Sequence, residues 1–181
     1  ALGLKSRVKR DGFAKWKQFV ARTKSSKEEL SIVVIGKYFD TGDFVLSDAY
    51  ISVIEAVKHS AAKIGKKAVL QRLNAKDYEK EGHDISALKG YDGIIVPGGF
   101  GETGIEGKIK VIQYARENKL PYFGLCYGMQ LAVVEYARHA AGLAGAHTTE
   151  INKEALVPVI DIMPEQKKHM EEGKYGATMR L

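Results

Sequence analysis

Short apolar runs alternate along this chain with longer segments in which apolar residues return every three or four positions. The runs are typical of buried strands and span residues 31–35, 68–73, 93–96 and 120–125. The periodic segments predict helices over residues 50–64, 105–115 and 131–141. Strands that are apolar throughout and alternate with helices predict a parallel sheet covered on both faces. We therefore expect an α/β fold, an open and mostly parallel sheet with helices on both faces.

Weaker patterns lie between and after these elements. The polar stretch 74–89 is expected to be loop with a short helical turn, and the charged stretch 165–174 is expected to be an exposed loop. Further strands are expected over residues 157–163 and 178–181. Ser47 is a good N-cap for the helix that follows it.

The first thirty residues are basic and contain one amphipathic segment. Over residues 11–22, apolar side chains such as Phe13 and Trp16 recur at close to helical spacing with lysines between them, which predicts a short helix. We expect residues 1–30 to form a basic linker helix and residues 31–181 to form one domain. The helix could pack on this domain or on a preceding part of the protein. Because the helix is short, binding to a membrane surface is the weaker interpretation.

Composition narrows the class of protein. The net charge of +6 lies largely in the basic N-terminal segment, but no aromatic–basic pattern continues beyond it, so a solvated linker is favoured over a nucleic-acid-binding arm. A content of 45% hydrophobic and 28% charged residues is ordinary for a soluble domain, and there is no membrane-length apolar run and no secretory signal. One cysteine cannot form an internal disulfide, which favours a reducing, cytoplasmic setting and excludes a multi-cysteine zinc site.

That single cysteine, Cys126, carries the strongest chemical signal. It follows an apolar run, precedes a helical pattern that is apolar almost all round and should be well buried, and has Gly124 and Gly128 on either side. The pattern is typical of a nucleophile elbow, in which a tight strand-to-helix turn leaves room only for small flanking residues. The positive end of the helix dipole favours a thiolate at such a position. A buried structural cysteine is the alternative interpretation.

Two other loops should meet Cys126 at the C-terminal edge of the sheet, the loop after Gly36 and the glycine-rich loop 97–101. A thiolate that attacks a carbonyl needs two N–H donors for the developing oxyanion. The Tyr127 N–H is one natural donor, and a glycine N–H of the 97–101 loop is the other. Phosphate binding ranks lower because this loop lacks both the P-loop Lys-Ser/Thr and the G-x-G-x-x-G spacing, and a tight turn without function is a further alternative.

A cysteine nucleophile also needs a base, usually a histidine that a third group orients. His59 and His139 fall within predicted helices, and His83 falls in a polar loop. His169 begins the one His-x-Glu sequence, but its charged surroundings indicate an exposed loop. No histidine is therefore an evident base for Cys126.

Several segments occur together, in the same order, in one protein family. They are residues 36–38, 48–56, 97–101, 104–109, 126–132, 149–150, 163–166 and 177–181. In these segments the chain resembles the C-terminal class I glutamine amidotransferase domain of the CTP synthase family, over nearly all of its length from residue 31. The glycine-rich loop and the elbow occur in other amidotransferases, whereas 104–109 and the terminal Thr-Met-Arg-Leu are far more specific.

The resemblance implies a flavodoxin-like fold and a glutaminase activity. A cysteine would attack the side-chain amide of L-glutamine, ammonia would leave, and the γ-glutamyl thioester would be hydrolysed. An N-terminal synthetase domain would use the ammonia to convert UTP, activated by ATP, to CTP, and GTP would stimulate the glutaminase step as an effector. Mg, ATP and UTP would belong to that domain, so no metal or cofactor is expected in this one. The implied whole protein is a cytoplasmic homotetramer that binds neither nucleic acid nor membrane.

The resemblance also implies roles for individual residues. Cys126 would be the nucleophile, and Gly98 with the Tyr127 N–H would form the oxyanion hole. The residues implied to bind glutamine are Gly98, Phe100, Gln130 and Glu150. A carboxylate such as Glu150 suits the α-ammonium group of an amino acid.

Three departures from the family pattern affect these expectations. Tyr127 stands where the family usually has leucine, and this replacement should be tolerated if only the backbone N–H of the residue is used. The loop between Tyr38 and Asp48 is longer than in many members. In the family the catalytic His and Glu, and an arginine that helps to bind glutamine, lie well beyond Leu181, and His169 is too close to the nucleophile to be equivalent. We therefore expect the 181-residue chain alone to be nearly inactive. A module that acts by binding and another cysteine hydrolase of the same architecture are the alternatives.

Overall fold

The structure is a computed structural model that describes residues 11–37, 39–41, 44–45, 50–99 and 102–172. The α-helices of this part are α1 (Asp11–Ser25), α2 (Ile51–Lys63), α3 (Ile105–Glu117), α4 (Tyr127–His139) and α5 (Pro164–Glu171). The strands are β1 (Glu29–Gly36), β2 (Asp40–Thr41), β3 (Phe44–Val45), β4 (Lys67–Asn74), β5 (Gly93–Val96), β6 (Tyr122–Gly124), β7 (Ala146–Thr148) and β8 (Val157–Ile160). Two 3₁₀ helices, Ala75–Glu79 and Ile85–Gly90, occupy the stretch expected to be loop with a short helical turn.

Four parallel strands form the main sheet in the order β4–β1–β5–β6. Strand β1 lies at the centre, where Val34 pairs with Arg72 of β4 and with Ile95 of β5. In chain order these strands are arranged 2-1-3-4, which is the flavodoxin-like arrangement, with the switch point between β1 and β5. The predicted α/β fold with an open parallel sheet is therefore confirmed, and ligand chemistry is expected at the C-terminal ends of these strands.

Helices cover both faces of this sheet, as the apolar strands predicted. On one face, β-strand residues such as Val33 and Val96 pack with Ile109 of α3 and Leu131 of α4. On the other face, Val34 and Ile95 pack with residues of α2. Val33, Val34 and Ile35 of β1 are fully buried because the strand has neighbours on both sides and a helical layer above and below it.

Helix α1 packs against α2. The Phe19 ring lies edge-on to His59, with the ring centroids 5.6 Å apart, and an Arg22 Nη1–H donates to the Lys63 carbonyl oxygen at 3.3 Å. Phe13 and Trp16 on the same helix remain 59% and 56% exposed. The amphipathic helix is thus confirmed and continues three residues beyond the predicted end, whereas the domain boundary at residue 30 stays a prediction.

The C-terminal part of the described chain contains two elements that the sequence patterns did not predict. The stretch expected to be an exposed loop contains α5, because Pro164 at the first position and Glu165 in the first turn favour a helix start. The expected 157–163 strand is shorter, and as β8 it pairs with β7 in a separate two-stranded parallel sheet. The Ala-His-Thr sequence of β7 is not an apolar run, so it produces no recognisable strand pattern.

Three further expectations need correction or lie outside the described chain. The predicted N-cap at Ser47 is wrong, because α2 begins at Ile51 with Tyr50 before it. Helix α4 is only partly buried, since Met129, Val133 and Tyr136 form an exposed stripe along it. The strand expected at 178–181 lies outside the described residues. No helix in the described part of the chain is long and apolar enough to cross a membrane.

Candidate active site

Cys126 occupies the turn between β6 and α4 in a backbone conformation that L-residues rarely adopt. Its φ is 51° and its ψ is −106°, so it falls outside both the right-handed and the left-handed helical regions. Such a conformation costs of the order of 1–3 kcal/mol and persists only where the surrounding structure enforces it. The thiol is free and exposed. These features are those of a nucleophile elbow, which presents one side chain at the end of the sheet.

The two glycines that flank the elbow are required by close backbone contacts. A Cβ on Gly124 would lie 2.6 Å from the carbonyl carbon of Gly128 and from the Met129 nitrogen, and a Cβ on Gly128 would overlap the Val96 carbonyl oxygen. The first turn of α4 therefore packs directly on the ends of β5 and β6. This packing explains the need for a glycine on each side of Cys126, as the Gly-x-Cys-x-Gly pattern indicated.

The loop after β5 passes beside the cysteine. A Cβ built on Gly98 would lie 3.4 Å from Cys126 Cβ and 3.9 Å from Sγ, so the Gly98 backbone lies close to the thiol with no side chain between them. The N–H groups of Gly98 and Tyr127 donate no hydrogen bond to any residue that the structure describes. Two donors near one nucleophile are the arrangement that an oxyanion hole requires.

The two polar residues predicted to bind glutamine lie on different elements. Gln130 is in the first turn of α4, and its Oε1 atom is buried with no hydrogen-bond partner among the described residues. Glu150 follows β7, and its N–H donates to the Thr148 Oγ1 at 3.2 Å. Burial, and to a lesser degree the Glu150 carboxylate, raises the pKa of the Tyr127 phenol. Phe100, the remaining predicted residue, lies outside the described residues.

No histidine with a described side chain forms a hydrogen bond with Cys126. His139 is at the far end of α4, about 20 Å along the helix from the cysteine at 1.5 Å per residue, and its Nδ1 lies 3.3 Å from Glu135 Oε1. His59 packs on α1, and His83 lies edge-on to the Tyr78 ring. Within the described chain, therefore, no histidine is placed to act as the base for Cys126.

Sequence reasoning missed Lys108, a buried lysine next to the elbow. Its side chain is on α3, it is 0% exposed, and its Nζ lies 5.5 Å from the centroid of the Tyr127 ring. A signal was present, because Lys108 falls on the same helical stripe as the apolar residues Ile105 and Ile112. A lysine at a core position of an amphipathic helix is a candidate functional residue.

The family model for glutamine amidotransferase class-I matches residues 45–181, and the chain belongs to this family. Among the relatives it resembles, the CTP synthase of Caldanaerobacter subterraneus subsp. tengcongensis is 49% identical over 166 residues, which are 92% of this chain and 29% of that protein. The CTP synthase of Pyrococcus abyssi is 44% identical over 180 residues, or 99% of this chain and 31% of that protein. This chain thus spans less than a third of the length of these relatives.

A solved structure shows the same relationship at the level of the fold. The glutaminase domain of Trypanosoma brucei CTPS with bound acivicin matches 75% of this chain and 50% of its own, with a TM-score of 0.68 and 36% sequence identity. The resemblance inferred from the motifs, to class I amidotransferases and in particular to CTP synthases, is confirmed by these matches. The roles assigned to individual residues stay predictions.

Proposed function

We propose that this chain is the glutaminase domain of a CTP synthase, which hydrolyses L-glutamine to glutamate and ammonia. The observation that supports this function best is the elbow: an exposed thiol at Cys126 in a strained turn, with Gly98 beside it. The Gly98 and Tyr127 N–H groups donate to no described residue. Membership of the amidotransferase family identifies the expected substrate class.

The reaction follows from this geometry in two stages. The Cys126 thiolate adds to the side-chain amide carbon, and the oxyanion that forms receives hydrogen bonds from the two N–H groups. The carbon–nitrogen bond then breaks, the nitrogen leaves with an added proton as ammonia, and a γ-glutamyl thioester remains. Water adds to the thioester carbon, the carbon–sulfur bond breaks, and glutamate and the free thiol are released.

Gln130 and Glu150 would hold the amino-acid end of the substrate. The unpaired Gln130 Oε1 is an acceptor for an ammonium N–H, and the Glu150 carboxylate offers the α-ammonium group an opposite charge. Phe100 would line the same pocket. The base, with its orienting carboxylate and an arginine for glutamine, would be supplied by residues that follow Leu181.

The whole protein would join this domain to an N-terminal synthetase domain. Ammonia would pass to that domain, where ATP and Mg would activate UTP for conversion to CTP, and GTP would act as effector on the glutaminase step. This proposal rests on the CTP synthase relatives, which are about three times longer than this chain. It includes a homotetrameric, cytoplasmic enzyme that needs neither nucleic acid nor a membrane.

Two measurements test the function. The first follows glutamate release from glutamine, with Cys126→Ala as the control. The second is intact-mass analysis after treatment with acivicin or 6-diazo-5-oxo-L-norleucine, amino acids that carry an electrophile near the position of the glutamine amide. We expect one adduct, absent in Cys126→Ser, whose formation glutamine slows.

The outcomes separate the candidate functions. Adduct formation together with Cys126-dependent glutamate release would support a complete glutaminase. A glutamine-protected adduct without turnover would support a domain that needs residues after Leu181 for its base. An adduct that persists in Cys126→Ser, or that glutamine does not slow, would overturn the proposed site.

A further inference from the structure

Lys108 differs from the other buried polar residues in what surrounds it. The buried polar or charged residues in the described part of the chain are Lys108, Glu135 and Thr148. Glu135 accepts hydrogen bonds from Arg116, and the Thr148 hydroxyl accepts one from the Glu150 N–H. The Lys108 ammonium has no hydrogen-bond partner among the described residues, and the group that lies against it is the Tyr127 ring.

This arrangement is unfavourable for the charged form of Lys108. Burial, and to a lesser degree the nearby Lys37, lowers the pKa of Lys108 to about 8. The Tyr127 hydroxyl is also buried without a hydrogen-bond partner among the described residues. An unpaired ammonium inside a protein opposes folding, and such unfavourable features concentrate at functional sites.

The contact joins two helices at the point where the elbow begins. Tyr127 is the first residue of α4, and its N–H is the proposed oxyanion donor. Close packing fixes the backbone of both helices. Gly128 of α4 packs on the Val96 carbonyl, and Gly107 of α3 packs on the Ala75 carbonyl. A lysine fixed on α3 can therefore set the position of the ring, and with it the peptide group, at residue 127.

We propose that Lys108 is a positioning residue for glutamine hydrolysis: its ammonium, held over the Tyr127 ring, aims the Tyr127 N–H at the substrate carbonyl. A cation over an aromatic face is an attractive contact that strengthens when both groups are removed from water. Lys108 itself does not touch the substrate. The inference rests on the proposed function, because it assigns Lys108 a role in the oxyanion hole of that function.

The test compares two electrophiles at the same thiol. The ketone of 6-diazo-5-oxo-L-norleucine occupies the place of the amide carbonyl, so its reaction depends on the oxyanion donors. Iodoacetamide alkylates an exposed thiol without that requirement. Lys108→Met removes the ammonium and keeps the length of the side chain, and Lys110→Met is the matched control, because Lys110 is an exposed lysine of the same helix.

We expect Lys108→Met to slow labelling by the diazoketone about tenfold, since a misplacement of about 1 Å costs about 100-fold in rate and the expected displacement is smaller. Iodoacetamide labelling should be unchanged, and the melting temperature should stay the same or rise, because an unfavourable buried charge has been removed. Lys110→Met should match the unmodified chain in all three measurements. A purely structural role for Lys108 would instead lower stability and alter both labelling rates together.

Tyr127→Leu keeps the backbone N–H and removes the ring, so it provides a second, independent variant. It should show the same selective loss, and Lys108→Met should have no additional effect in the Tyr127→Leu background, which is the coupling that a contacting pair must show. Equal diazoketone rates for the unmodified chain and Lys108→Met, or an undiminished Lys108 effect in the leucine background, would overturn the role of Lys108 alone. Absence of selective diazoketone labelling in the unmodified chain would overturn the proposed function, and the Lys108 inference with it.

Discussion

Gly128, in the first turn of α4, lies directly against the carbonyl oxygen of Val96 at the end of β5. This contact lets the helix begin immediately after Cys126 and keeps the N-terminus of α4 close to the glycine-rich loop that follows β5. The elbow is therefore part of the packing between the helix and the sheet, and its geometry depends on the absence of a single methyl group.

The first prediction concerns this missing side chain. Alanine normally stabilises a helix by about 0.5–1 kcal/mol relative to glycine, but here the added Cβ would overlap the Val96 carbonyl oxygen. We expect the overlap to dominate, so Gly128→Ala should lower the free energy of unfolding by about 2 kcal/mol or more. Urea denaturation measures this change. Gly90→Ala is the control, because a Cβ there meets nothing within 4 Å, and equal stabilities of the two variants would contradict the packing described.

The second prediction uses the pKa of Lys108, which burial and Lys37 lower from the ordinary value of 10.5 to about 8. Between these two pH values the unfolded chain binds a proton that the folded chain does not, so the free energy of unfolding should rise with pH from about 8 towards 10. Lys108→Met should lack this rise. Denaturant titrations at pH 7 and pH 9.5 measure the difference between the two proteins, and parallel pH dependences would contradict the assignment.

The upper limit of that pH window comes from the tyrosines. Burial raises the pKa of Tyr78 to about 12, and it also raises the pKa of Tyr122 and of Tyr127. Above pH 10 the unfolded chain loses phenolic protons that the folded chain keeps, and stability then falls with pH. Because both proteins keep these tyrosines, the Lys108→Met comparison cancels their contribution.

The third prediction concerns the ion pair between α3 and α4. The Glu135 carboxylate is 1% exposed and accepts hydrogen bonds from Arg116 Nε and Nη2 at 2.8–3.1 Å. Arg116→Met should lower the free energy of unfolding, because it leaves a buried carboxylate without its main partner. The double variant Arg116→Met/Glu135→Met should recover much of that loss. Chemical denaturation tests both, and a loss that the second substitution does not reduce would show that the charge is not the cause.

The sheet was predictable because its strands bury both faces. In β1, Val33, Val34 and Ile35 are each 0% exposed, so this part of the strand is continuously apolar, as is typical of a parallel strand with both faces covered. The elbow was predictable for a related reason: glycines two residues before and after a cysteine reflect contacts that exclude every larger side chain. The local sequence is therefore sufficient to predict both features.

Other features depend on partners far along the chain, and local patterns do not record them. The apolar stripe of α3 indicates that Lys108 faces the core, but the group that it meets there, the Tyr127 ring, is on another helix. The same holds for β7, whose three residues form a strand only through pairing with β8. Glu150 follows β7, so the sequence motif indicated this residue but not its surroundings.

The final prediction tests how α1 is attached. Trp16 is the single tryptophan of the chain, and it stacks on Phe19 with the ring centroids 5.4 Å apart. Phe19 in turn lies against His59 of α2. Because Phe19 connects the exposed part of α1 to the domain, Phe19→Ala should release this helix, shift the Trp16 emission to longer wavelength and increase its quenching by acrylamide.

The main domain should be less affected by this change, since the core residues of the sheet do not contact Phe19. Phe13→Ala provides the control, because Phe13 is 59% exposed and its contact in the described chain is Lys17 of the same helix, so the tryptophan signal should stay close to that of the unmodified protein. If Phe19→Ala leaves the Trp16 emission unchanged, α1 is held by other contacts, such as that of Arg22 with the Lys63 carbonyl. If it unfolds the sheet together with the helix, α1 belongs to the cooperative unit of the domain and is not a separate linker.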